Sequence, residues 1–174
     1  MTVLVTGGAR SGKSLHAESL LVAEPHVTYI APRPTIELDD ERAAQAAVQQ
    51  ARRPSHWTTL ESADLASAVR QAEGAVLIDC LASWLGATLS ELDGWESLRE
   101  DWEPVLFERL DDALAAIAQH HAPVVVVTNE AGMGVVPDQR AGRLFRDLLG
   151  AVNQHVAAEC DEVALVVAGR VLSL

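Results

Sequence analysis

Gly7-Gly8-Ala9-Arg10-Ser11-Gly12-Lys13-Ser14 follows the short apolar run Val3-Leu4-Val5-Thr6 and leads into Ser14 to Val22. In that following stretch Leu15, Leu20 and Leu21 recur at helical spacing, which predicts a helix with those three on its apolar side. The octet fits G-x-x-x-x-G-K-[ST] in its required setting between a strand and a helix. Glycines let the main chain wrap closely enough to aim successive N–H groups at phosphate oxygens, and the helix start adds its positive end. Lys13 is then placed to reach the outer phosphates and Ser14 to hold magnesium. A chance match in a chain of this length is on the order of one in a hundred or less, given average residue usage. Lys13 is also the only lysine among 13 Lys and Arg residues. A compact ammonium suits a shifting phosphoryl group, whereas a planar guanidinium would crowd the loop.

Outward from the octet, further apolar runs appear at Val27–Ala31, Val76–Asp79, Val124–Thr128 and Val163–Ala168. Runs of this kind are buried on both faces of a parallel sheet. Helical patterns separate them, including an Ala-rich stretch that starts at Asp39 and Asp40 and runs to Arg53 before Pro54. The alternation predicts βαβ units with right-handed crossovers, hence an α/β fold with a mostly parallel sheet and helices on both faces. Only Gly169 and Arg170 separate the last long run from Val171–Leu174. That is too short for a parallel crossover, so an antiparallel C-terminal hairpin strand is expected.

The chain has 174 residues, the size of one domain, and residues 1–174 read as a single nucleotide-binding unit. Hydrophobic residues make up 49% but aromatics only 4%, so the core is expected to be Ala, Val and Leu. A net charge of −12 repels phosphate backbones and anionic lipid, which argues against a nucleic-acid or membrane binder. No apolar stretch reaches the length of a membrane span, and no basic lead resembles a signal peptide, so a cytoplasmic location is expected. Cys80 and Cys160 lie far apart without metal-ligand spacing and read as buried reduced thiols.

Asp79 ends the run Ala75-Val76-Leu77-Ile78, which puts a carboxylate at the carboxyl edge of a buried strand, where open α/β sheets bind ligands. It reads as the magnesium partner opposite Ser14 or as a cap on the helix that follows, and the two roles are compatible. Asn129 and Glu130 repeat the arrangement after Thr128, and Glu130 is a candidate base. Glu91 to Asp112 holds nine acidic residues against Arg99 and Arg109, the pattern of a solvated helix face. Arg140, Arg143 and Arg146 fall on one side of a helix, either as a basic stripe for an anionic substrate or in ion pairs with Asp138 and Asp147.

Taken together, these residues resemble the bifunctional adenosylcobinamide kinase and adenosylcobinamide-phosphate guanylyltransferase family of cobalamin biosynthesis. The likeness rests on Val5 to Ser14, Tyr29-Ile30-Ala31, Asp39-Asp40-Glu41, Arg53-Pro54-Ser55-His56-Trp57 and Asp79-Cys80-Leu81 with Trp84. It continues through Thr128 to Pro137, Phe145-Arg146-Asp147 and Val152-Asn153-Gln154. The resemblance implies a RecA-like P-loop NTPase sheet, Mg2+, ATP or GTP as phosphoryl donor, a corrinoid (adenosylcobinamide) acceptor, and a homotrimer. It implies phosphoryl transfer to the aminopropanol hydroxyl, then attachment of GMP through a guanylylated histidine. Nucleotide contacts carry over to Gly7, Gly8, Ala9, Arg10, Ser11, Gly12, Lys13, Ser14, Arg33, Arg52, Arg53 and Glu61, metal contacts to Ser14 and Asp79, and catalysis to Lys13 and Asp79.

The sequence departs from the family where alignment back from Arg53 to Trp57 puts Gln49 at the guanylylated histidine. A carboxamide nitrogen, delocalised into its carbonyl, has no free lone pair to attack phosphorus, so covalent guanylyl transfer through position 49 is expected to be lost or greatly slowed. His56 is the alternative acceptor, set against its reading as a packed neighbour of Trp57. Ala82 and Ala87 stand where the family usually has Thr and Asn. A kinase for another small alcohol, and a catalytically degenerate nucleotide-binding regulator, are the competing readings.

Overall fold

The computed structural model describes residues 1–32 and 53–174. Seven strands are seen: β1 (Thr2–Gly7), β2 (Val27–Ala31), β3 (Thr58–Glu61), β4 (Ala75–Asp79), β5 (Val124–Val127), β6 (Glu162–Val167) and β7 (Arg170–Ser173). The described helices are α1 (Lys13–Leu20), α2 (Leu65–Gln71), α3 (Leu81–Glu91), α4 (Arg99–Gln119) and α5 (Arg140–Ala158). The strands form one sheet in the order β3-β2-β4-β5-β1-β6-β7. Every pairing is parallel except β6 with β7, which is antiparallel, as the two-residue spacing requires.

The apolar strands divide their side chains by the two-residue period of the pleat. Leu4, Ile30, Val76, Ile78, Val124 and Val126 join one core with residues of α2, α3, α4 and α5. Val3, Val5, Tyr29, Leu77, Val125 and Val127 join the other with Ala17, Leu21 and Trp57. Both faces of the central strands are thus dry, which is why the sequence shows continuous Val and Leu runs rather than alternation.

On α1 the expected apolar side is corrected in part: Leu21 is buried as expected, but Ala17 is buried with it, whereas Leu15 is 60% and Leu20 37% exposed. The helix lies close against the sheet, so the residue that faces it is small. The acidic stretch divides as expected of a half-solvated helix. On α4, Trp102, Leu106 and Leu110 are buried, and Glu100 and Asp101 sit in the first turn, where the helix dipole favours carboxylates. Neither cysteine is fully buried, though both are free thiols. The predicted helix from Asp39 to Arg53 lies outside the described residues, apart from Arg53 itself.

Candidate functional site

The octet forms a loop between β1 and α1 at the carboxyl edge of the sheet. Its geometry explains its glycines. Gly12 has φ +98°, a conformation that L side chains rarely adopt, and a Cβ on Gly7 would collide with the carbonyl oxygen of Val166. The first helical hydrogen bond runs from His16 N–H to Gly12 O at 2.9 Å, so the N–H groups of the preceding turn point forward from the helix start. Lys13 Nζ donates to Gly8 O at 3.2 Å, which folds the ammonium over the loop. Ser11 Oγ and Thr6 Oγ1 are buried without a partner among the described residues, leaving hydrogen-bonding capacity unused at the loop.

Asp79 closes β4 on the same face of the sheet as α1. Its carboxylate faces the Ser14 and Tyr29 hydroxyls, with Lys13 and Arg53 as the nearby cations. Burial is the larger influence and holds its carboxyl above the usual aspartate range. The N-cap of α3 is Cys80, which makes no side-chain cap bond. Asp79 therefore serves the loop rather than the helix. The neighbouring Cys80 thiol is pushed up by burial and then by the Asp79 charge, which makes it a poor thiolate.

The donor set fits magnesium in one particular way. Among the described residues no group of three or more His, Cys, Asp or Glu could hold a metal alone. Mg2+ in nucleotide sites usually takes one or two protein oxygens, completed by phosphates and water, and a serine hydroxyl beside a carboxylate supplies them.

At the end of β5, Glu130 N–H donates to Gly7 O at 3.0 Å, which joins this strand end to the loop. The Glu130 carboxylate turns back to accept from Gly132 N–H at 2.5 Å. Asn153 supports the corner from below: its Oδ1 accepts from Thr128 Oγ1 at 2.6 Å, and its Nδ2 donates to Asn129 O at 3.0 Å. Among the described residues Arg140, Arg143 and Arg146 make no ion pair with Asp138 or Asp147. They donate to the main-chain oxygens of Trp95, of Pro137 and Asp138, and of Gly132 respectively. A loop full of unpaired carbonyls recruits them as donors.

The structure brings Gly7 to Ser14, Asp79 and Arg53 together. Glu61 ends β3 beside Ala31 of β2. Arg33, Gln49 and Arg52 lie outside the described residues. His56 is exposed rather than packed, while Trp57 beside it is 8% exposed. Sequence reasoning passed over Tyr29 and Asn153 as site residues. The available signal was polarity out of place: Tyr29 is the chain's one tyrosine, set in a buried aliphatic strand.

Residues 3–174 match the family model described as cobinamide kinase / cobinamide phosphate guanyltransferase. Among curated proteins, the bifunctional adenosylcobalamin biosynthesis protein CobU of Salmonella typhimurium is 45% identical over 183 residues, covering 97% of each chain. The protein of the same name from Escherichia coli is 41% identical, again over 97% of each chain. The bifunctional adenosylcobalamin biosynthesis protein CobP of Pseudomonas aeruginosa is 35% identical over 100% of this chain and 97% of its own. Among solved structures, an ATPase of a bacterial type III secretion system superposes with a TM-score of 0.60 at 11% identity, over 94% of this chain and 51% of its own. The assembled ATPase EscN of enteropathogenic E. coli gives a TM-score of 0.60 at 12% identity, over 96% of this chain and 43% of its own. This chain spans about half the length of those ATPases, and the likeness establishes a shared P-loop fold.

Proposed function

The chain belongs to the cobinamide kinase / cobinamide phosphate guanyltransferase family, and on that premise we propose how its own residues carry the chemistry. It is a nucleotide-dependent transferase of cobalamin biosynthesis. Its kinase step moves the terminal phosphoryl group of ATP or GTP to the aminopropanol hydroxyl of adenosylcobinamide. The bond formed is hydroxyl oxygen to phosphorus, the bond broken joins phosphorus to the bridging oxygen, and the nucleoside diphosphate leaves. One observation carries this reading: the Ser14 hydroxyl of the loop and the Lys13 ammonium stand beside the Asp79 carboxylate at the end of β4.

Loop N–H groups and Lys13 bind the triphosphate and neutralise the charge that spreads over the transferred group. Ser14 and Asp79 are the residues that would hold Mg2+, which supplies further charge neutralisation when bound. Arg33, Arg52, Arg53 and Glu61 are assigned to the guanine nucleotide by their positions in the family pattern. We extend the proposal to one nucleotide-binding domain over residues 1–174, a homotrimer and a cytoplasmic location. Among the described residues no helix is long and apolar enough to cross a membrane.

Gln49 sets the guanylyl step apart. With no imidazole there, the chain retains the kinase step and loses or greatly slows transfer through a covalent enzyme. The exposure of His56 favours one second reading, in which that imidazole takes GMP. Mass spectrometry of the product made from adenosylcobinamide, GTP and magnesium tests the first reading: an added phosphate is expected, and no phosphorylated product at all would overturn it. With α-labelled GTP, the denatured chain is expected to carry no label until Gln49→His restores it. Label retained by the parent chain and lost in His56→Ala would establish the second reading instead.

A further inference from the structure

Tyr29 stands in β2 opposite Leu77 of β4. Asp79 lies two residues beyond Leu77 and shares its face of the sheet. One strand across and two residues along on the same face, Asp79 lies within reach of an aromatic side chain at Tyr29. The ring is 2% exposed, and its hydroxyl stands beside the Asp79 carboxylate. Against the ring face sits the Arg53 guanidinium, with Cζ 3.2 Å from the centroid. Arg53 is otherwise lightly held: one nitrogen reaches Thr59 Oγ1 at 3.5 Å, and Nε is buried without a partner among the described residues. Among the described residues the aromatic face, with the Asp79 charge nearby, is thus the feature that seats the cation.

From this arrangement we infer that Tyr29 is a positioning residue that sets two functional groups at once: its hydroxyl aims the Asp79 carboxylate, and its ring seats the Arg53 guanidinium. The inference rests on the proposed roles of Asp79 toward metal and Arg53 toward nucleotide. A tyrosine suits both tasks because it joins a donor tip to a flat, electron-rich face. Phenylalanine retains only the face.

Two variants of the full chain separate the roles. Tyr29→Phe removes the hydroxyl, so Mn2+ binding to the nucleotide complex, read by electron paramagnetic resonance, is expected to weaken about tenfold. Its metal-free binding of a fluorescent GTP analogue stays within about twofold of the parent. Tyr29→Met removes the ring as well, and metal-free nucleotide binding then weakens as far as in Arg53→Gln. Should Tyr29→Met not fold, Tyr29→Phe alone decides. Parental Mn2+ affinity in Tyr29→Phe, when Asp79→Asn has lost it, overturns the inference. If Asp79→Asn also keeps that affinity, the metal assignment itself fails, and ultraviolet resonance Raman of the single tyrosine decides whether the placement holds. A donor signature that weakens in Asp79→Asn upholds it, and an unchanged spectrum overturns it.

Discussion

Gly169 N–H donates to the carbonyl of Ser11 at 2.8 Å, so the turn between β6 and β7 braces the middle of the phosphate-binding loop. The contact joins residues at opposite ends of the chain, and every residue of β7 is exposed. β7 pairs only with β6. A chain ending at Val167 is therefore expected to fold, because it gives up an edge strand and little core. Its Ser11 carbonyl must turn to water instead. Nucleotide binding should weaken roughly three- to tenfold, the scale of one net hydrogen bond. Titration with a fluorescent nucleotide checks this, and unchanged affinity in the shortened chain refutes the bracing role.

Lys13 offers a sharper test, because its side chain carries the only ammonium apart from the N-terminus. Lys13→Met should lower kcat for adenosylcobinamide phosphorylation roughly 100- to 1000-fold, the scale of losing one preorganised charge partner. Lys13→Arg should not restore it, since a planar guanidinium does not reproduce a compact, flexible ammonium. An amine-reactive label offers an independent readout: modification at Lys13 should be slowed by nucleotide, while modification at the N-terminus is not.

The sequence made the loop and the central strands legible because each combines a local requirement with a long-range one. Gly12 answers to its own φ, and Val124 to Val127 answer to burial on both faces. β3 escaped notice because Thr58-Thr59-Leu60-Glu61 is short, mostly exposed and at the sheet edge, where no apolar run is needed. The buried side of α1 was read correctly at Leu21 but not at Leu15, since helical spacing weighs Leu15 above Ala17, the smaller residue that is buried. The arginines of α5 show the same limit: their spacing was visible, but their partners are main-chain carbonyls of Trp95 and of the segment just before the helix, which carry no side-chain signal. Tyr29 became a site residue only through strand register, which brings it diagonal to Asp79.

Two ion pairs tie helices on one face of the sheet, and they make acid sensitivity predictable. Glu91, at the end of α3, receives both terminal nitrogens of Arg109 from α4, at 2.9 and 3.0 Å. Asp112 of α4 receives Arg70 of α2. Each arginine's hydrogen bond holds its partner carboxyl below the ordinary range. A carboxyl whose folded pKa is depressed contributes stability above its unfolded pKa and loses it as pH falls through the folded value. The window therefore opens near pH 4 and extends below it. The side chains of Glu91 and Asp112 are 57% and 55% exposed, so solvent screens both pairs and the effect is small. Between about pH 5 and pH 2 the double variant Glu91→Gln, Asp112→Asn should lose melting temperature less steeply than the parent. Equal slopes would show that neither pair matters to folding.

Asp79 pits function against stability. Burial raises its carboxyl, and the Ser14 hydroxyl, Lys13, the Tyr29 hydroxyl and Arg53 pull the other way without cancelling it. A raised acid binds more protons folded than unfolded, so stability falls as pH rises from the ordinary aspartate range toward the raised value, and the cost is present at neutral pH. Asp79→Asn keeps the shape and an acceptor oxygen for Ser14 or Tyr29 while removing the buried charge. Its melting temperature without ligand should rise by about 2–5 °C. The kinase rate should fall by about 100-fold or more, because the variant lacks the anion that would face magnesium. Ligand linkage then reverses the order: magnesium and nucleotide together stabilise whichever chain binds them better. The parent should gain more on their addition than Asp79→Asn, and matched thermal melts with and without magnesium nucleotide read both effects. A variant less stable than the parent before ligand is added would show that the carboxylate is retained for packing, and the assignment of Asp79 to the metal would lose its energetic support.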